Sequence, residues 1–271
     1  MSAFAVRLPK YLAAARVSAR DTTTYFSNLV ADGAMLFLRI WIFYQLYATT
    51  YAATGITSIN GFSVAKLIWS LMIVQALHRS AAMLSTSKNI EDEVKDGTIA
   101  YTLNRPYSYL LFNFARFIGR VFTNVWVNLA VGTATALVFV GPVPISPQSL
   151  LAALPILLGG MVITFLLSVL VGLSAFWAED VSGYRWLYHR ANLILGGSII
   201  PPALFPEGWR GIVEATPFAQ QYYASSLVLL DFSSGLFIKF VLIQIFWILV
   251  LTCFAVGLYK IGERRVVQNG G

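Results

Sequence analysis

The chain predicts an all-α fold that crosses a membrane six times. Three observations carry that expectation. Hydrophobic residues make up 58% of the 271 positions and charged residues only 11%. Mean hydropathy is +0.70. Apolar runs of about 20 residues, the length that spans a bilayer core as a helix, recur along the chain. A soluble domain carries roughly a quarter charged residues, so this composition cannot cover a water-facing surface. The expected organisation is an amphipathic interfacial helix over 1–27 and a single membrane domain over 28–271.

Residues 7–26 have the pattern of a helix lying on a membrane surface. Pro9 suits a first helical turn. Leu8, Tyr11, Leu12, Ala15 and Ala19 share one face, Arg16 and Arg20 flank it, and Lys10 lies opposite. No continuous apolar stretch with a cleavage site accompanies these basic groups, so no cleaved signal peptide is expected. Spans are expected at about 29–53, 62–84, 119–140, 150–177, 184–204 and 236–258. The fourth is long enough to tilt or to project from the bilayer. The fifth is short and is interrupted by Pro201 and Pro202.

The basic residues set the orientation. Of the 19 Lys and Arg, 15 fall in 1–27, 79–120, 178–190 and beyond 258, whereas 54–61, 141–149 and 205–235 hold only Arg210. By the positive-inside bias both termini and the 79–120 segment face the cytoplasm, and the expected location is the plasma membrane of a prokaryotic cell. Because the net charge of +7 is spread by topology and forms no groove-like cluster, it does not point to nucleic acid. The outer connection Gly141-Pro142-Val143-Pro144-Ile145-Ser146-Pro147 reads as a stiff turn.

The longest hydrophilic island runs from Ile90 to Arg120, after the second span, within an element bounded at 88–120. Glu91, Asp92, Glu93 and Asp96 are four of the chain's twelve acids. Ile90 and Val94 give this segment a narrow apolar stripe at helical spacing. Gly97 can take the left-handed conformation that ends a helix. Ile99, Tyr101 and Leu103 alternate too briefly for a strand assignment, and Arg105-Pro106 makes a second break. From Tyr107 a second amphipathic helix is expected, with Leu110, Phe114, Phe117 and Val121 on one face and Arg116 and Arg120 on another, running into the third span. The acids fan around their helix and no second acidic cluster completes a magnesium–diphosphate site. They read as a solvated face or as a docking surface.

Other chemistry is not supported. The sequence has no phosphate-binding loop and no H-E-x-x-H. His78 and His189 have no acidic neighbour at helical spacing and read as interfacial side chains. Cys253 stands alone in an apolar run, which excludes a disulfide framework. Charges inside spans are costly and usually face protein or water. Asp32 and Arg39 share one face of the first span, where they form either a structural ion pair or part of a pathway lining. Lys66 and Lys239 lie near outer ends and are expected to snorkel. The apolar stretch 196–209, broken by Pro201, Pro202 and Pro206, is too short to cross a bilayer and too apolar for an ordinary loop. It reads as a re-entrant hairpin over 201–222, because irregular backbone at membrane depth must be buried in protein or line a wet cavity.

Two of these stretches resemble the permease subunits of ABC-2 type exporters. The first has the form acid, Gly, Leu, Pro, here Glu93, Gly97, Leu103 and Arg105-Pro106. The second is Gly197, Pro201, Phe205-Pro206, Trp209 and Pro217-Phe218; Pro202 stands where that family more usually has a larger aliphatic residue. The resemblance implies a permease that dimerises with itself or a paralogue within the membrane lipid and pairs with a cytosolic ABC ATPase subunit. ATP and Mg2+ would sit on that ATPase, with no cofactor on this chain. It also implies that Glu91, Glu93, Gly97, Arg105 and Pro106 couple to the ATPase. Arg39, Pro201, Phe205, Pro206, Trp209 and Phe218 would serve the pathway or its outer gate. Trp41, Tyr44 and Tyr47 suit an amphiphilic or apolar cargo, although aromatics at such spacing more often serve packing. A secondary transporter and a non-transporting assembly subunit are the competing readings.

Overall fold

The structure, a computed structural model, describes residues 3–24, 26–81, 83–99, 108–178 and 180–268. Among these, all regular structure is helical, and extended pairing is confined to one antiparallel bridge between Ile59 and Phe62. The longer helices are α1 (Ala3–Thr24), α2 (Phe26–Thr54), α3 (Val64–Ser80), α4 (Met83–Lys95), α5 (Tyr109–Val140), α6 (Pro147–Leu173), α7 (Ser182–Leu195) and α11 (Ser234–Gln268). Between α7 and α11 lie three short ones: α8 (Glu207–Ala215), α9 (Pro217–Gln221) and α10 (Tyr223–Leu230).

The helix starts follow local chemistry. The hydroxyls of Ser63, Ser108 and Ser146 accept from the backbone N–H groups of Lys66, Leu111 and Ser149, each satisfying an orphan donor of the first turn. Pro147 adds a pre-set φ at the start of α6. The amphipathic segment before residue 119 and the third span are one continuous 32-residue helix.

Among the described residues, four stretches are long and apolar enough to cross a membrane: Val64–Lys95, which takes in α3 and α4, then Tyr109–Val140, Pro147–Phe176 and Ser234–Arg264. At 29 residues α2 is long enough, but Arg39, Gln45 and its tyrosines and threonines dilute its apolar character. The expected fifth span is corrected. It is not one helix over 184–204, because α7 has 14 residues, about 21 Å at the α-helical rise, and ends at Leu195. Gly197, at φ +78°, then turns the chain in a conformation that only glycine adopts freely.

Two helices form the centre. Helix α3 packs on α2, α5 and α10, and α6 packs on α4, α10 and α11. From Leu67 to Leu77, α3 is buried on every side. The outward faces stay apolar: Phe122, Trp126, Leu151, Leu158, Leu242, Leu249 and Phe254 are all more than half exposed. So large an exposed apolar band is foreign to soluble monomers and suits lipid.

Helix α1 rests on α5. A Cβ at Gly119 would fall 2.1 Å from the carbonyl oxygen of Ala15, so the two backbones touch. The Tyr11 hydroxyl accepts from Ser108 N–H at 3.2 Å, and Thr123 Oγ1 lies 3.4 Å from Ala19 O. Gly119→Ala is expected to lift α1, costing about 1–3 kcal/mol of packing. Trypsin should then cut at Arg16 several-fold faster than in the unmodified chain.

Candidate coupling element and membrane pathway

On the predicted cytoplasmic side, α4 has two faces with different fates. Thr86, Ser87, Ile90 and Glu91 are buried, whereas Lys88, Asp92, Lys95 and Asp96 are exposed. The buried face sits where α6 carries Gly172: a Cβ there would lie 2.7 Å from Ile90 Cβ and 3.0 Å from Ser87 O. Gly97, at φ +69°, closes α4, with its N–H bonded to Val94 O and that of Asp96 to Asp92 O. Arg105, Pro106 and Leu103 lie outside the described residues.

Two of the four acids expected to form a solvated face or a docking surface, Glu91 and Glu93, are held by contacts within the chain. Glu91, only 3% exposed, takes Lys95 on Oε1 at 2.7 Å and the Arg185 guanidinium of α7 on Oε2. Glu93 accepts from the Tyr109 hydroxyl at 2.7 Å and lies 3.7 Å from Arg116, both on α5. Tyr109 in turn stacks on Tyr259 of α11, with ring centroids 5.5 Å apart. Helix α4 is thus tied to α5, α6 and α7, and the acids free to meet another molecule are Asp92 and Asp96. Ahead of α7, bonds from the Ser182 hydroxyl and N–H hold the Asp180 carboxyl below its ordinary value.

Beyond Leu195 the chain is irregular, yet its carbonyls are claimed by distant side chains. Gln75 Nε2 donates to Ser198 O at 2.5 Å, the Tyr47 hydroxyl to Ile199 O at 3.1 Å, and Asn60 Nδ2 to Ala203 O at 2.8 Å. Pro201, Pro202 and Ala203 are buried, Phe205 is half-buried, and Pro206 and Trp209 are exposed. Phe218 is half-buried with its ring 5.8 Å from that of Tyr188. The return is buried through Val228, past the expected end of the hairpin at 222. It is seated on α6, where a Cβ at Gly160 would lie 2.1 Å from Gln221 O. At its edge, Glu214 (4% exposed) binds Arg210 at 3.1 Å and Lys239 of α11 at 2.7 Å.

A seam of polar side chains links α2 and α3 to α7 and the returning segment, and most of it was not anticipated. Asp32 pairs with Arg79 rather than with Arg39, so the expected Asp32–Arg39 pair does not form: α3 brings a nearer guanidinium to the carboxylate. Arg39 Nη1 donates to Gln75 Oε1 at 3.3 Å. His78 and His189, read as separate interfacial side chains, come together with ring centroids 5.7 Å apart, and Tyr222 meets His78 edge-on. Deeper in, Gln221 Oε1 accepts from Tyr188, Asn192 and Thr164, and Gln244 Nε2 donates to Ile156 O and Gln220 O. The available signal was neutral polar residues inside apolar runs, since each needs a partner where water is excluded. Among the described residues no group of three or more His, Cys, Asp or Glu could hold a metal ion.

The family model described as ABC-2 family transporter protein matches residues 34–270. No curated protein matches the chain.

Proposed function

The chain belongs to the ABC-2 transporter family, and we propose that it is the six-span permease subunit of an ATP-driven exporter, powered by a separate cytosolic ATPase. In this reading α2 and a broken fifth segment, α7 with the irregular chain that follows it, complete the set of spans, both termini are cytoplasmic, the domain runs over 28–271 behind an interfacial helix at 1–27, and two permease chains enclose the pathway. ATP and Mg2+ bind the ATPase, not this chain. Permeases of this family generally partner such an ATPase and are not themselves catalytic.

The observation that carries the reading is the two-sided α4. Its outer face offers Lys88, Asp92 and Asp96 to a partner, while its inner face is gripped through Gly172 by α6 and through Glu91–Arg185 by α7. A displacement of α4 by the ATPase therefore reaches α7. At the top of α7, the Gly196–Gly197 break passes it to the segment over 201–222, whose edge is latched by Glu214, Arg210 and Lys239. The coupling element is 88–120, with Glu91 and Glu93 acting as internal tethers and Gly97 as the helix stop. Arg105 and Pro106 belong to it by family pattern. Pro201, Phe205 and Phe218 form the outer gate, with exposed Pro206 and Trp209 at its outer rim.

The gate has a direct test in a Cys253→Ser background, since Cys253 is itself exposed. A cysteine replacing Trp209 should react with an impermeant thiol reagent quickly in every state. One replacing half-buried Phe205 should react slowly at rest and roughly tenfold faster during ATP turnover, as expected for a segment that opens locally. Equal rates at Phe205 with and without ATP would count against a gate there. The exporter reading itself is tested by ATP-dependent, outward movement of amphiphiles in proteoliposomes holding both subunits.

A further inference from the structure

Arg39 of α2, Gln75, His78 and Arg79 of α3, His189 of α7 and Ser198 in the following turn converge on one place. The charges there do not balance. Among the described residues, the carboxylate at this cluster is Asp32, and Arg79 holds it. Arg39 is left with a neutral amide oxygen at 3.3 Å, although a guanidinium within a span calls for an anionic or aqueous partner. The positive fields of Arg39 and Arg79 both reach His78, and that of Arg39 reaches His189.

The hydrogen bonds are unbalanced in the same sense. Arg79 Nε, Ser198 Oγ and His78 Nδ1 are buried without a partner, and Ser198 is 0% exposed. The first is donor-only and the other two can donate. Gln75 does not serve them: its oxygen accepts from Arg39 and its nitrogen donates to Ser198 O, and none of the three is within a hydrogen bond of it. What would complete the cluster is a group that carries negative charge and only accepts, which describes a phosphate or a carboxylate. Apolar surface adjoins it: Met35, Leu38 and Ile42 within a turn of Arg39, and Trp186 and Leu187 on α7, are exposed.

We propose that this cluster binds the anionic headgroup, phosphate or carboxylate, of an amphiphilic cargo whose tail lies along α2 and α7. The cargo role rests on the exporter reading; the binding chemistry does not.

The test uses the full chain in neutral detergent, with decyl phosphate as probe and decanol and inorganic phosphate as its two halves. Decyl phosphate alone should protect saturably against thermal unfolding. Its affinity should fall roughly tenfold in Arg39→Gln and about threefold in Ser198→Ala, the losses expected for a charged and a single hydrogen bond. Lys260→Gln, which removes an exposed cation elsewhere, should bind as the unmodified chain does. Ser198→Ala covers the case in which Arg39→Gln fails to fold, since deleting an unpartnered buried hydroxyl costs the empty protein little. Decanol binding as well as decyl phosphate, or Ser198→Ala binding unchanged, would overturn the proposal. Proteoliposomes holding the permease and its ATPase then separate cargo from resident lipid. ATP-driven outward transfer of a fluorescent lysophosphatidic acid, slowed at least fivefold by Arg39→Gln, supports cargo. Transfer indifferent to Arg39→Gln overturns the cargo assignment. Binding sensitive to Arg39→Gln without ATP-driven transfer of any amphiphile supports the site and contradicts the exporter reading instead.

Discussion

Glu91→Ala is expected to uncouple the transporter: ATP hydrolysis by the assembled complex continues near its normal rate while transport falls at least about tenfold, equivalent to 1.4 kcal/mol or more of lost coupling. The cause lies in what the carboxylate holds. It is buried on α4 and neutralises Arg185, itself mostly buried, together with the more exposed Lys95. Removing one partner of a buried pair costs about 3–5 kcal/mol, and partial solvation of the two cations lowers that here to on the order of 2 kcal/mol. The protein should therefore fold, with α4 no longer gripping α7. Arg185→Ala should show the same phenotype. The double variant should be no worse than either single one, because once the tether is broken its second half has nothing left to do. Coupled transport measured beside hydrolysis checks this; independent, additive losses would mean that the two residues act separately.

Gly160→Ala is expected to have the largest effect on stability. The new Cβ would meet backbone at 2.1 Å and 2.8 Å, the carbonyl oxygens of Gln221 and Gln220, and backbone cannot rotate away. The α9–α10 return must lift from α6, loosening the Thr164–Gln221 and Gln244–Gln220 bonds. The expected loss is on the order of 3 kcal/mol, at the upper end for overpacking. Thermal unfolding in detergent reads it. Gly257→Ala serves as control, because a Cβ there meets nothing within 4 Å and alanine favours the helix by about 1 kcal/mol.

The architecture was legible where it depends on local pattern. Apolar run length placed α3, α6 and α11, and Ile90, Val94 and Gly97 marked α4 and its end. The prolines at 201 and 202 showed that no helix runs on to 204, although the helix itself ends earlier, at Leu195. Partners distant in sequence were not legible. Glu91 and Arg185 are 94 positions apart, and no spacing rule connects them. For the same reason α4 looked like a free acidic face, when two of its three acids, Glu91 and Glu93, are tied to neighbouring helices. Asp32 and Arg39 looked like natural partners on one helix, but helical neighbours seven apart lose to a guanidinium delivered by packing. Gly119, Gly160 and Gly172 carried no signal either, since a glycine that admits a neighbouring backbone reads like any other small residue in an apolar helix. The polar seam was half visible: Gln75, Asn192, Gln221 and Gln244 stand out as amides in hydrocarbon, but only the fold shows that they meet.

The central claim is that a separate ATPase drives this chain by engaging the outer face of α4. Co-purification with the ATPase, comparing the unmodified chain with an Asp92→Lys/Asp96→Lys variant, tests it most directly. Both positions are exposed, so the variant should fold and insert normally. The account predicts stoichiometric ATPase with the unmodified chain and at least a tenfold loss of it with the variant, the scale on which reversed interfacial charges act. Full recovery of the ATPase with both charges reversed would contradict it.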